Sequence, residues 1–295
     1  MMMAHEYYTF TGEVVPEHVT HVLIDRALKF VPAHAFEYHP NIQEVICHDG
    51  VLKVEHHAFY ECPRLRRVIM PGVKVIEIRA FDECTALTYV ECGKLEIIGA
   101  GAFYLCESLN SIDLPSIRIV GGGAFEDCTS LDNAKFGKDV ESIGRGAFDN
   151  CHSLERITIP LKDGIMTADD TFRWCERFDH VDLVEGVVLN ETIAALQLKE
   201  WRNDMNQEIE NINLDLACSH AGNIHKVGEK AREVRLWIRS LLSKIVDYKA
   251  QHRSYLNVAA ATLQPALPND IVLKNVLPFL ELPSFMFEGE NQEEL

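Results

Sequence analysis

Nine cysteines and thirteen histidines are the residues of this chain whose types could ligate a metal or attack a substrate, and their spacing decides between those chemistries. Six cysteines, Cys62, Cys84, Cys106, Cys128, Cys151 and Cys175, recur at intervals of 22, 22, 22, 23 and 24 residues. A structural metal site needs convergent ligands, and the chain has no Cys-x-x-Cys pair. Evenly spaced thiols read instead as small buried hydrophobes, a common role of free cysteine. His18 with His21, and His56 with His57, read as turn residues rather than ligands. Cys218 lies beside His220 with Lys226 near in sequence, a setting that could favour a nucleophilic thiolate. Gly121-Gly122-Gly123 lacks the Lys-Ser/Thr that a phosphate loop requires. Asn190-Glu191-Thr192 is a glycosylation sequon, moot in a reducing compartment. From these patterns we expect no catalytic set, no cofactor and no metal site.

The same interval governs the residues around each cysteine. Ala-Phe recurs at Ala35-Phe36, Ala58-Phe59, Ala80-Phe81, Ala102-Phe103, Ala124-Phe125 and Ala147-Phe148, with Thr171-Phe172 as a seventh copy. Each cysteine follows its Phe by three, His39 taking that place in the first copy. Large apolar residues follow at Ile42, Leu65, Leu87, Leu109, Leu131, Leu154 and Phe178. Then come the pairs Val45/Cys47, Val68/Met70, Val90/Cys92, Ile112/Leu114, Ala134/Phe136, Ile157/Ile159 and Val181/Leu183. The two-residue step is that of a strand, whose alternate side chains face opposite ways. A further aliphatic slot lies five residues before each Phe, at Val31, Val54, Ile76, Ile98, Val120 and Ile143. It fails at Thr167, where Ile165 or Met166 fills the space. Each turn thus predicts one short strand and an irregular or helical back, and only stacking buries the apolar side.

Ile143-Gly144-Arg145-Gly146-Ala147-Phe148-Asp149-Asn150-Cys151-His152-Ser153-Leu154-Glu155-Arg156-Ile157-Thr158-Ile159-Pro160 resembles the leucine-rich repeat in its BspA-like form almost throughout. The resemblance spans about residues 19–184. Similar intracellular proteins of single-celled algae carry the same leading Thr11-Gly12-Glu13-Val14-Val15-Pro16 segment and a helical tail. The resemblance implies an α/β solenoid, a leucine-rich repeat horseshoe with one parallel sheet of about eight turns, and a protein-binding role without chemistry. Some bacterial effectors join such repeats to a helical ubiquitin-ligase domain with a nucleophilic Cys. That makes Cys218 the residue of a remote enzymatic alternative, although the arm is short for a catalytic domain.

Length allows two domains. The expected division is a lead-in at 1–18, the solenoid at 19–185, a helical hairpin arm at 186–264, a short docked helix at 265–287 and an acidic tail at 288–295. In the arm, Ile193, Leu196, Leu198, Trp201, Met205, Ile209, Ile212 and Leu216 mark one amphipathic helix. Val234, Ile238, Leu241, Ile245, Tyr248, His252, Tyr255 and Ala259 mark a heptad seam on a second. The first helix is mostly acidic and the second mostly basic, so an antiparallel hairpin capping the solenoid is the expected pairing. The alternative is a homodimer through residues 186–264.

The net charge of -17 disfavours a nucleic-acid groove. No run is long enough for a membrane helix, and residues 1–22 lack the apolar stretch of a secretory leader. With no disulfide framework expected, the setting is cytoplasmic or nuclear. If Val68 and Met70 point inward, the residues between and before them point outward on the concave sheet. The candidate partner-binding residues are therefore Ile46, Arg67, Ile69, Tyr89, Glu91, Asp113, Lys135, Arg156 and His180. Arg and aromatic residues dominate interface hot spots, which places first contact at Ile46, Arg67, Ile69 and Tyr89.

Overall fold

Most turns of the chain lay two short strands on their counterparts in the turn before. The protein is described here from a computed structural model that covers residues 7–184, 199–218 and 230–263. In its first half the strands are β1 (Tyr8–Phe10), β2 (His21–Ile24), β3 (Phe30–Val31), β4 (Glu44–Ile46), β5 (Lys53–Val54), β6 (Arg67–Ile69), β7 (Val75–Ile76) and β8 (Tyr89–Glu91). The second half adds β9 (Ile97–Ile98), β10 (Ser111–Leu114), β11 (Ile119–Val120), β12 (Asn133–Phe136), β13 (Ser142–Ile143), β14 (Arg156–Ile159) and β15 (His180–Leu183). Two helices follow the repeats, α1 (Lys199–Cys218) and α2 (Lys230–Leu263). A parallel-sheet solenoid with helices after it is thus the fold, as the repeat period implied.

All strand pairs are parallel, and the register advances by one repeat. Val22 faces Val45, Val45 faces Val68 and Val68 faces Val90. The ladder of longer strands runs β1-β2-β4-β6-β8 and, separately, β10-β12-β14-β15. Val90, at the break, is the one inward side chain of that column left half-buried. The single sheet expected from sequence is joined by a second, β13-β11-β9-β7-β5-β3, built from two-residue strands. Its inward residues are the aliphatic slot before each Phe, Val31 through Ile143, all buried. Met166 continues it by a bridge to Ile143, and Ile165 is buried alongside. The backs of the turns are irregular, apart from a 3-10 turn at Asp169–Phe172.

Between the ladders lies a column of seven phenylalanines. Phe36, Phe59, Phe81, Phe103, Phe125, Phe148 and Phe172 are buried. Successive rings are stacked at 4.8, 4.9, 5.2, 5.3, 5.2 and 5.7 Å between centroids. The spacing follows from the chain's rise of about one strand separation, ~4.8 Å, per turn. Tilted rings close both ends, Phe10 on Phe36 and Phe178 on Phe172. Burial of each ring contributes roughly 1.5–3 kcal/mol.

Each column cysteine donates its thiol to the carbonyl of the Phe one turn back. Cys62 bonds Phe36 O at 3.0 Å, Cys106 bonds Phe81 O at 3.2 Å and Cys175 bonds Phe148 O at 2.9 Å. A buried carbonyl without a donor is costly, and a thiol meets it without an added charge. His39 performs the same task in the first turn, its Nε2 reaching Pro16 O at 3.0 Å. Burial accordingly holds the His39 imidazole below its ordinary pKa, and pushes the Cys128 and Cys151 thiols up. No disulfide joins Cys47, Cys62, Cys84, Cys92, Cys106, Cys128, Cys151 and Cys175, all of them free and buried.

By contacts the chain divides into two compact units. One joins the repeats to helix residues 212–218 and 230–238. There the helices close the last turn. Asn213 Oδ1 accepts the N–H of Val181 at 2.9 Å. The buried Lys230 ammonium donates to Cys175 O at 3.0 Å and Phe178 O at 2.7 Å. An outer edge of unpaired backbone groups would otherwise remain, and terminal turns of solenoids need such capping. The other unit holds helix residues 199–211 and 239–263. In it Lys244 Nζ lies 3.1 Å from Asp204 Oδ2 and 2.7 Å from Glu208 Oε1, the acidic-on-basic pairing expected of an antiparallel hairpin. Val234, Ile238, Leu241 and Ile245 of the heptad seam are buried. The side chains of His252, Tyr255 and Ala259, the expected helix at 265–287 and the acidic tail fall outside the described residues.

Candidate protein-binding face

The outward residues of β2, β4, β6 and β8 form two straight rows, because parallel in-register strands repeat the same slot at the same height. One row reads Leu23, Ile46, Ile69, Glu91, and the other His21, Glu44, Arg67, Tyr89. Leu23 is 36% exposed, with Ile46 and Ile69 half-buried beside it. Three aliphatic side chains on adjacent strands are thus partly open to solvent. Leu23 belongs to this row but was not singled out in the sequence, where the turn containing β2 precedes the first Ala-Phe.

The polar row beside them is internally braced. Arg67 lies with its guanidinium carbon 5.2 Å from the centre of the Tyr89 ring and its Nη1 3.5 Å from Glu44 Oε1. Glu44 Oε2 accepts a hydrogen bond from the Tyr7 hydroxyl at 2.5 Å. That bond, ahead of burial, raises the Tyr7 pKa. Tyr89, 46% exposed, donates its hydroxyl to Glu91 Oε2 at 3.4 Å. Arg67 and Tyr89 thus meet each other and each faces a carboxylate, contacts that favour this arrangement and reduce the ordering cost of binding.

Farther along, the face changes character. Ser111, Asn133, Arg156 and His180 continue one row, with Asp113, Lys135, Thr158 and Asp182 in the other. Asp113 and Lys135 are exposed register partners. Arg156 Nη1 lies 2.8 Å from Asp182 Oδ2, and His180 Nε2 lies 3.4 Å from both Asp182 Oδ1 and Asn213 Nδ2. Those side chains serve the closure of the last turn, and no aliphatic group stands among them. The sequence-chosen residues thus separate into an apolar-aromatic group at Ile46, Arg67, Ile69 and Tyr89, with Glu91 at its edge, and a polar group at Asp113, Lys135, Arg156 and His180.

The second ladder presents an outward row that strand periodicity did not reveal, Phe30, Lys53, Val75, Ile97, Ile119 and Ser142. Two-residue strands give no alternation to read. Gly121-Gly122-Gly123 has a structural explanation. A Cβ on Gly121 would stand 2.5 Å from Ala100 N, and Gly123 has a φ of +61°. The side chain of Cys218 falls outside the described side chains.

The BspA type leucine rich repeat profile matches residues 16–117 and 96–193, in 6 copies. Solved structures similar to the chain include a leucine rich repeat protein of T. pallidum, 28% identical over 53% of this chain and 84% of that one, with a TM-score of 0.45. A leucine-rich repeat protein of Bacteroides ovatus is 22% identical over 57% of this chain and 48% of that one, with a TM-score of 0.41. No curated protein matches the chain.

Proposed function

The chain belongs to the BspA type leucine rich repeat family, and from that premise we propose that it is a non-catalytic protein-binding module whose contact face lies on β2, β4, β6 and β8. The observation that carries this reading is the partly exposed aliphatic row Leu23, Ile46 and Ile69, flanked by Arg67 stacked on Tyr89. An apolar strip beside a pre-positioned Arg and aromatic pair is the composition of an interface hot spot. The occupant is a protein segment that sets apolar side chains on the strip and polar groups against Glu44, Arg67 and Glu91.

The partner meets the face in the reducing cytoplasm or nucleus, where buried free thiols keep their form. No helix among the described residues is long and apolar enough to cross a membrane. Repeat number and column residues supply the scaffold, and the outward rows supply the selectivity.

Proximity labelling in the native cell, run with the wild type and with an Arg67→Ala/Tyr89→Ala variant, tests the reading. The labelled set should lose discrete proteins in the variant, while Ile97→Ser/Ile119→Ser on the second ladder keeps them. Loss only with the second-ladder variant moves the contact to that row, and an unchanged set in both ends the proposal. A second reading, self-association through residues 186–264, rests on the exposed apolar side chains Val246 and Val258 of α2.

A further inference from the structure

The solenoid brings together three histidines that lie in two different turns. His34 sits two residues before Phe36, and His57 two residues before Phe59, so they occupy the same slot one period apart. Their rings stack at 5.3 Å with an angle of 11° between planes. His56, next to His57 in the chain, closes on both, its ring 5.1 Å from that of His34 and 5.8 Å from that of His57. One ring nitrogen from each lies within 4.8 Å of those from the other two.

Two further features fit this cluster to a cation. His34 Nδ1 is 2.8 Å from Glu37 Oε2, and His56 Nδ1 is 3.4 Å from Glu77 Oε2. A carboxylate on one imidazole nitrogen fixes the tautomer and leaves the other nitrogen's lone pair for a metal, the support that metal-bound histidines regularly have. Glu77 is itself anchored, its Oε1 2.6 Å from Lys53 Nζ. In contrast, His57 Nδ1 is buried and has no hydrogen-bond partner, a condition that calls for an explanation in a folded protein. His34 and His57 hold φ values of 58° and 53°, in the left-handed region, where the later turns place Gly101, Gly123 and Gly146 at 60°, 61° and 59°. The fold tolerates side chains in this conformation, since Arg79 holds the same slot at 53° and the slot two residues after each Phe carries Tyr38, Glu61, Glu83, Leu105, Asp127, Asn150 and Trp174.

We propose that His34, His56 and His57 form a binding site for a divalent transition-metal ion of the zinc class, with solvent completing the coordination. Three imidazoles without a thiolate suit Zn²⁺, Ni²⁺ or Cu²⁺ rather than Ca²⁺ or Mg²⁺. Tetrahedral coordination with metal–nitrogen bonds of about 2.0–2.1 Å sets the nitrogens about 3.3 Å apart. The rings must therefore close by up to about 1.5 Å. His34 and His56 are exposed and can rotate to do so. The bound ion would tie two successive turns together after β3 and β5, so its consequence is stabilisation of the N-terminal turns, not catalysis.

The test is isothermal titration of ZnCl₂ into the full chain, freed of any polyhistidine tag and stripped with EDTA. A single site near 1:1 stoichiometry is expected, with a rise in melting temperature on adding zinc. His34→Gly and His57→Gly should each weaken binding at least tenfold, and the double variant should abolish both the heat and the thermal shift. Glycine is the residue the later turns carry at this slot, so these variants should melt no lower than the wild type in EDTA. His152→Ala should leave binding unchanged. Absence of saturable zinc binding in the wild type, or binding that persists in the double variant, overturns the proposal.

Discussion

Asp82→Asn should stabilise the protein at neutral pH and leave its stability nearly unchanged in acid. Asp82 directly follows Phe81 in the buried column, is 1% exposed, and its Oδ1 has no hydrogen-bond partner. Burial is the largest influence on its carboxyl and pushes the pKa up from 3.8 to about 6. Arg79, with Nε 3.7 Å from Oδ2, opposes the shift, whereas Glu83 and Glu61 add to it. The sign follows from linkage. Between the two pKa values the unfolded chain has released its proton and the folded chain has kept it, so stability falls as pH rises from about 4 to about 6 and is level above that. Two units at 1.36 kcal/mol each set the loss at roughly 3 kcal/mol, an upper bound that relaxation and water entry reduce. Asparagine has no charge to bury and should recover ~1–3 kcal/mol at pH 7 and almost nothing near pH 4. Urea unfolding across that pH range, with the slope m unchanged, measures the difference from the midpoints. A gain independent of pH, or a loss at neutral pH, would refute the assignment of Asp82 as a carboxyl strained by burial. Asp149 occupies the same slot after Phe148 and supplies the contrast. Arg173, one turn on, bonds its Oδ2 through Nε at 2.8 Å, so Asp149→Asn should cost ~1–3 kcal/mol at pH 7 instead.

Three more expectations follow from the columns and the caps. Phe103→Ala, which removes a ring stacked on both sides, should cost ~3–5 kcal/mol in urea unfolding, against less for Phe103→Leu. Lys230→Ala leaves the carbonyls of Cys175 and Phe178 without their ammonium donor and should cost ~1–3 kcal/mol. Light scattering of the full chain over a wide concentration range should return a monomer mass if the helices serve only to close the repeats; a dimer mass that a Val246→Lys/Val258→Lys variant reduces to monomer would favour self-association.

The inward columns were legible because a repeat states each of them six or seven times. The Phe, Cys and aliphatic slots all stand where the period places them, and one inward residue, Val90, departs at a break between ladders that no sequence signal marks. The second ladder was not legible, since a two-residue strand such as Val75–Ile76 looks like any aliphatic pair next to a turn. The role of the cysteines was half legible. Composition told that they are buried, but the thiol's bond to the preceding Phe carbonyl needed coordinates. The substitution of His39 for Cys in the first turn, polar for polar, was the available hint. The histidine cluster was missed because neighbours were sought along the chain. His34 and His57 are 23 residues apart, which in a solenoid is the distance of greatest proximity.

The departures from the repeat frame are not evenly spread. His34, His57 and Arg79 occupy the left-handed slot in the first three turns, and glycine fills it in the next three. A non-glycine residue in that conformation costs about 1–2 kcal/mol, somewhat less for histidine, which tolerates it better than most. The same turns carry the outward aliphatic row at Leu23, Ile46 and Ile69 and the Arg67–Tyr89 stack, while the later turns present polar groups paired with one another. The core columns, by contrast, are as well filled in the early turns as in the late ones. The outward aliphatic row of the longer strands and the non-glycine residues of this slot therefore share the early turns, although the slot two residues after each Phe is non-glycine throughout, at Leu105, Asp127, Asn150 and Trp174 as at Tyr38, and Ile119 and Trp174 expose apolar surface in the later turns. The difference within the slot before each Phe is measurable: glycine placed together at His34, His57 and Arg79 should raise the unfolding free energy in EDTA by roughly 1–3 kcal/mol in total. Alanine at Gly101, Gly123 and Gly146 should lower it by a similar amount. Equal and negligible effects at both ends would mean that the slot is unstrained and that the early turns carry no special burden.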